Sequence, residues 1–169
     1  MQQYDFRRAG KKCAIGERLL LPGEVYYSAL VELPDGQLSR VDYSEEHWDP
    51  EGDYVGSWKQ QISDLETGKV YWAPPEVLLA YFKHQLEKQQ HELAFVMSLL
   101  LLRKRILQFK ENIDDDDGQL SILADRKSSE IFEVRDVDIA TDKIELIQQE
   151  LAEHLFSNQP FSAVDESEP

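Results

Sequence analysis

The chain contains a single cysteine, Cys13, among 169 residues. One thiol excludes an intramolecular disulfide and any cysteine-rich zinc centre. Basic residues are also scarce: 18 Lys+Arg stand against 33 Asp+Glu, a formal net charge of −15. That field repels a phosphate backbone, and the one basic cluster away from the N-terminus, Arg103-Lys104-Arg105, is too small to offset it. Nucleic acid is therefore not an expected partner. Long apolar runs are missing too. The longest, Leu93 to Leu102, contains Ser98 and reaches about half of what a bilayer span requires. The opening Met-Gln-Gln-Tyr-Asp-Phe-Arg-Arg has no apolar stretch of the kind a secretory leader carries. A cytoplasmic protein with no membrane association is expected.

Further absences bear on chemistry. Gly16, Gly23, Gly36, Gly52, Gly56 and Gly68 are isolated, so no glycine-rich loop is available to cradle a phosphate. Ser28 and Ser57 lack the Gly-x-Ser-x-Gly setting of a nucleophile elbow. The histidines are His47, His84, His91 and His154. On one helix His84 and His91 would lie about 10 Å apart along the axis, too far to share an ion. Cys13 and His47 alone give two ligands, so Cys13 is expected as a small buried residue in a turn, and no cofactor is expected. Asp114 to Asp117 followed by Gly118 resemble a calcium loop only superficially. With Gly118 sixth, the first and twelfth positions fall on Ile113 and Ala124, neither of which can ligate.

What is present is enough hydrophobic residue (41%) for a proper core. Residues 1–23 suggest short strands broken by turns. Residues 24–33 alternate, with Val25, Tyr27, Ala29, Val31 and Leu33 on the expected core face and Glu24, Tyr26, Ser28 and Glu32 on the polar one. Pro34-Asp35-Gly36 predicts a hairpin turn into a second strand, Gln37 to Tyr43. Ser44 is placed to start a helical turn through Glu45, Glu46 and His47. A third strand is predicted over 54–62, and Tyr71-Trp72 follow a turn at Gly68. Pro75 opens a helix with Leu78, Tyr81, Phe82 and Leu86 on one stripe. A second helix is predicted over about 91–111, apolar nearly all round and therefore a central core helix, with Asp114 to Gly118 stopping it. Strands over about 119–124 and 130–135 and a helix carrying Ile144, Ile147, Leu151 and Leu155 complete the pattern.

The predicted class is α+β. A small antiparallel β-rich region, 1–73, packs on a central apolar helix pair, followed by a β-hairpin and a C-terminal helix. Residues 74–156 share one core with the β-rich region, and 157–169 form a disordered acidic tail.

The aromatics are unevenly spread. Trp48, Trp58 and Trp72 fall in one short segment near Tyr26, Tyr27, Tyr43, Tyr54 and Tyr71. Large rings build a small β-core, and they also dominate interface hot spots. For a binding face the candidates are Tyr26, from the polar side of its strand, and Tyr43, at the end of the second strand, together with Trp48 and Trp58. Glu45-Glu46-His47-Trp48-Asp49 gathers carboxylates around an imidazole, but consecutive residues point in different directions, so few could meet one substrate.

Several of these residues together resemble a family of small uncharacterised bacterial proteins. They are Cys13-x-x-Gly16, Leu21-Pro22-Gly23-Glu24-x-Tyr26-Tyr27-Ser28-Ala29-Leu30, Arg40-x-Asp42-Tyr43-Ser44, Trp48, Gly56-x-Trp58-Lys59 and Leu99 to Leu102 with Arg103-Lys104-Arg105. The resemblance extends to about residue 155. It brings no activity, cofactor or residue role, and implies only that a Cys13 with no second cysteine is ordinary there.

The expected function is therefore a non-enzymatic interaction or adaptor protein, with no catalytic residues and no metal ligands, whose acidic surface favours a basic protein partner. The alternative is a small-molecule or divalent-metal binder, a hydrolase among the options, built on Glu45 to Asp49 with His47. Homo-oligomerisation through Leu93 to Leu102 is left open.

Overall fold

A computed structural model describes residue 13 and residues 19–62 and 71–157. The expected strand pieces near Tyr4 and Phe6, the turns at Gly10, Gly16 and Gly68, and the tail after Ser157 lie outside the described residues. Helices and strands are both abundant and all strand pairs are antiparallel. The class is α+β. The chain divides into two compact units, residues 1–77 with 149–161 and residues 78–148 with 162–169.

In the first unit, β1 (Val25–Glu32) runs between β2 (Leu38–Ser44) and β3 (Gly56–Gln61). The predicted hairpin joins β1 to β2. Leu33 N–H donates to Gln37 O at 2.8 Å, Asp35 Oδ1 accepts from Gln37 N–H at 3.0 Å, and Gly36 supplies a φ of 91° that a side chain would oppose. A 3-10 turn, Glu45–His47, then leads out of β2. Residues 149–157 return to this unit as the end of a helix and a two-residue strand. That short strand, β8 (Phe156–Ser157), pairs with β4 (Tyr71–Trp72), and Trp72 meets Phe156 edge to face at 4.7 Å. Ser157, expected to begin a tail, is a buried strand residue.

Burial on β1 departs from the expected faces: of the expected core face only Ala29 is fully buried, and most of the deeply buried residues lie on the other side. Tyr26, Ser28 and Leu30 are fully buried, while Tyr27 and Val31 are half-exposed. The reason is a polar network that makes the nominally polar face the inner one. Ser28 Oγ donates to Asp42 Oδ1 at 2.7 Å and accepts from Gln60 Nε2 at 2.6 Å and from Arg40 Nη2 at 3.0 Å. One donor and two acceptor positions are all that a hydroxyl has. Arg40 also donates from Nε to Asp42 Oδ1 at 3.2 Å and from Nη1 to Phe156 O at 2.6 Å, and Ser157 Oγ donates to Gln60 Oε1 at 3.0 Å. The network thus fastens residues 156–157 to the sheet.

The second unit contains most of α1 (Pro75–Glu87), α2 (His91–Arg103), the meander β5 (Leu107–Asp115), β6 (Gly118–Asp125) and β7 (Ile131–Arg135), and the start of α3 (Thr141–Leu155). Here α2 packs against β5 and β7, and Phe82 meets Phe132 edge to face at 5.3 Å. Two expectations fail in this unit. The second helix ends at Arg103, not near 111, because Arg105 turns left-handed (φ 63°) and Ile106 N–H closes on Leu101 O at 2.9 Å. This is a helix-ending motif that usually employs glycine. The residues that follow form β5, so Asp114 to Gly118 end no helix; Asp116 and Asp117 are the tip of the β5–β6 hairpin. Nor is α2 buried all round. Ala94, Met97, Ser98 and Leu101 are buried, whereas Leu99 is 51% exposed.

Candidate functional site

The outer face of β1–β2 carries a group of four packed, partly exposed rings. Tyr27 and Tyr43 are cross-strand partners and so project to the same side of the sheet. Trp48 arrives after the 3-10 turn and Tyr54 just before β3. Trp48 lies parallel to Tyr27 (centroids 4.5 Å apart, planes 4° apart) and to Tyr54 (4.9 Å, 16°), and Tyr43 tilts against Trp48 at 5.8 Å and against Tyr54 at 6.4 Å. All four side chains are half-exposed.

Local backbone features hold the group in place. Tyr54 Oη donates to Asp49 O at 2.8 Å, and the 49–52 turn is closed by Gly52 N–H to Asp49 O at 3.2 Å and by Glu51 N–H to Asp49 Oδ1 at 3.0 Å. The Tyr54 ring lies directly against Gly52, where a Cβ would run into the phenol. Desolvation, followed by the neighbouring Tyr43 and Asp49, raises the Tyr54 pKa above its ordinary value, so the phenol stays neutral and available as a donor at physiological pH. The segment between β2 and β3 that supplies Trp48 and Tyr54 also carries exposed Glu45, Glu46, Asp49, Glu51 and Asp53, while exposed Lys59 pairs with Tyr27 across the sheet, so the surroundings of the cluster are mainly acidic.

Of the four residues singled out from the sequence, Tyr43 and Trp48 belong to this cluster. Tyr26 and Trp58 do not. Tyr26 is 0% exposed because its side of β1 is the inner one, and Trp58 is 5% exposed on the same side. Arg40 sits over the Trp58 ring at 5.0 Å, and Trp58 Nε1 has no hydrogen-bond partner among the described residues. Neither residue can offer a surface. Tyr27 and Tyr54 were missed. The Tyr27 pairing with Tyr43 follows from the hairpin register, but its apolar neighbours Val25, Ala29 and Val31 assigned it to the core.

Beside the cluster, Ser44 Oγ donates to Cys13 Sγ at 3.3 Å and lies 3.1 Å from His47 Nδ1, which is itself 3.6 Å from the thiol and 3.9 Å from Glu46 Oε2. A thiol next to an imidazole is the pairing from which nucleophilic cysteines are built. Here Cys13 is 1% exposed and packs with Leu20, Tyr26 and Ile62, so the trio pins the 3-10 turn to the sheet and presents no sulfur to a substrate. Among the described residues, no three His, Cys, Asp or Glu side chains come together as a metal-ligand set. No described helix is long and apolar enough to cross a membrane.

No family model, curated protein or solved structure matches the chain.

Proposed function

We propose that the protein is a non-enzymatic, cytoplasmic binding protein that recognises a basic protein partner through the Tyr27–Tyr43–Trp48–Tyr54 cluster. The observation that carries this reading is the partial exposure of four packed rings beside a segment rich in exposed carboxylates. Rings already held against one another lose little rotamer freedom on binding, bury large areas, and keep polar tips for hydrogen bonds. The carboxylates raise the encounter rate with a cationic surface and reject acidic competitors. A metal-binding or hydrolytic role for Glu45 to Asp49 has less support: Asp49 closes its own turn and His47 is engaged with Ser44 and Cys13.

Quantitative co-purification from the native host provides the test, comparing the wild-type chain with Trp48→Ala at low and high salt. Expected is a partner retained by the wild type at low salt, released by salt, and lost with Trp48→Ala. A partner set that is identical for both proteins would end this proposal.

A further inference from the structure

The second unit has a separate feature that this binding face leaves unused: an open sheet edge. In the order β5–β6–β7, β5 has one strand neighbour among the described residues, and every residue from Gln108 to Asp115 is exposed. Native proteins usually blunt such an edge. Here a bulge between Phe109 and Glu111 does so at the start, but Glu111 to Asp115 stay in regular register with Ile122 to Gly118 and contain neither proline nor glycine. The edge is also apolar at two points, with Phe109 48% and Ile113 41% exposed.

Charge selects what can dock there. Lys110 is the only cation on β5, against Glu111, Asp114 and Asp115, with Asp116 and Asp117 at the tip. Arg135 neutralises Asp115 through a bidentate pair at 2.7 and 2.9 Å, which also braces the hairpin end. Glu111 and Asp114 therefore set the sign of the edge, one toward each face of the sheet. A second copy of this chain would bring the same acidic strand and a net charge of −15 against it, and like charges placed opposite each other across strands repel.

We propose that β5 is a strand-addition site for an extended basic segment of a partner protein. Main-chain hydrogen bonds to the open edge supply affinity. Lys or Arg opposite Glu111 and Asp114, with an apolar residue beside Ile113, supplies specificity. Asp114, Asp116 and Asp117 then gain a purpose, since they crown the edge and direct cationic chains to it, while Asp115 is held by Arg135. This site is independent of the aromatic cluster and can fail or stand without it.

The test uses the whole chain and an extended peptide of about ten residues that carries two lysines three positions apart with a valine between them, so that the lysines can oppose Glu111 and Asp114 while the valine lies beside Ile113, read by fluorescence anisotropy and by amide hydrogen exchange. Expected is slowed exchange confined to residues 108–115 on peptide addition, with no such effect from the same peptide with glutamate in place of lysine. Ile113→Lys and the double variant Glu111→Lys/Asp114→Lys, each first shown to be folded by circular dichroism, should weaken binding about tenfold or more and abolish the protection. Three outcomes overturn the proposal. In one, the peptide binds without protecting β5, which denotes charge adsorption only. In another, protection falls on residues 43–54, which would instead favour the aromatic cluster. In the third, β5 is already protected without peptide in step with a concentration-dependent dimer, which makes a second copy the occupant.

Discussion

The two three-stranded antiparallel sheets solve the same problem in different ways. The C-terminal meander β5–β6–β7 buries an apolar face with Leu123, Phe132 and Val134, and its one bidentate ion pair, Asp115–Arg135, is at the exposed hairpin end. The N-terminal sheet β2–β1–β3 turns inward a mixed face, on which Ser28, Arg40, Asp42 and Gln60 bond one another beside Tyr26, Leu30 and Trp58, and leaves Tyr27 and Tyr43 partly exposed on the other. A half-buried strand can thus carry polar side chains inward when they find partners in one another. The N-terminal arrangement frees four large rings for the surface, which is where the proposed binding face comes from.

The contrast can be broken most severely at Arg40. Arg40→Met leaves the largely buried Asp42 carboxylate without its cationic partner and Phe156 O without its donor, so a loss of about 3 kcal/mol is expected by chemical denaturation, together with release of residues 156–157 from the sheet. Arg135→Met removes an ion pair in which Asp115 is 38% exposed at the side chain, and a much smaller change is expected. Equal effects would mean that the buried network is no more important to stability than the surface clamp.

Acid should separate the two units next. Burial, followed by the nearby Arg40, lowers the His154 pKa from its ordinary 6.5. The unfolded chain then takes up the proton first, so stability present above about pH 6.5 declines as pH falls through the folded-state value. Asp115 is lowered from 3.8, chiefly by its hydrogen bond to Arg135, so the contribution of that clamp survives until pH drops below 3.8. Glu150, raised by burial and by Glu153, acts in the opposite direction above its ordinary 4.5. The His154 step is therefore read as pH falls from 6.5 toward the lowered folded-state value, where His154→Gln should flatten the denaturation profile. A profile unchanged by that variant would remove His154 as the cause.

The mildest change sharpens the comparison at the aromatic face. Gly52→Ala places a methyl against the Tyr54 ring. A stability loss of roughly 1 kcal/mol or less is expected, with a shifted Trp48 fluorescence and weaker partner retention. Unaltered fluorescence would show that Tyr54 does not depend on Gly52 for its position.

Much of the element order was legible because the signals are local. Pro34-Asp35-Gly36 specifies its hairpin, Pro75 opens α1, and Ile147, Leu151 and Leu155 mark the buried stripe of α3. What escaped required information from a distance. Nothing near Ser28 announces that Arg40, Asp42 and Gln60 will satisfy it, so the inward face of β1, read from hydrophobicity alone, is right at Ala29 and wrong at Tyr26, Tyr27 and Ser28. Arg103-Lys104-Arg105 are good helix formers, and a left-handed arginine has no sequence signature; the helix was accordingly carried into β5. The pairing of Phe156-Ser157 with Tyr71-Trp72 spans more than eighty residues and could not be anticipated locally. At the candidate site, Tyr43 and Trp48 were found by composition and position, whereas Tyr27 and Tyr54 needed the register and the turn geometry.

Hydroxyl-radical footprinting of the free chain and of its co-purified complex tests the binding face most directly. Expected is oxidation of Trp48, Tyr27 and Tyr54 in the free chain, protection of all three in the complex, and little labelling of Tyr26 or Trp58 in either. A complex in which Trp48 is oxidised as readily as in the free chain would contradict the role given to this face.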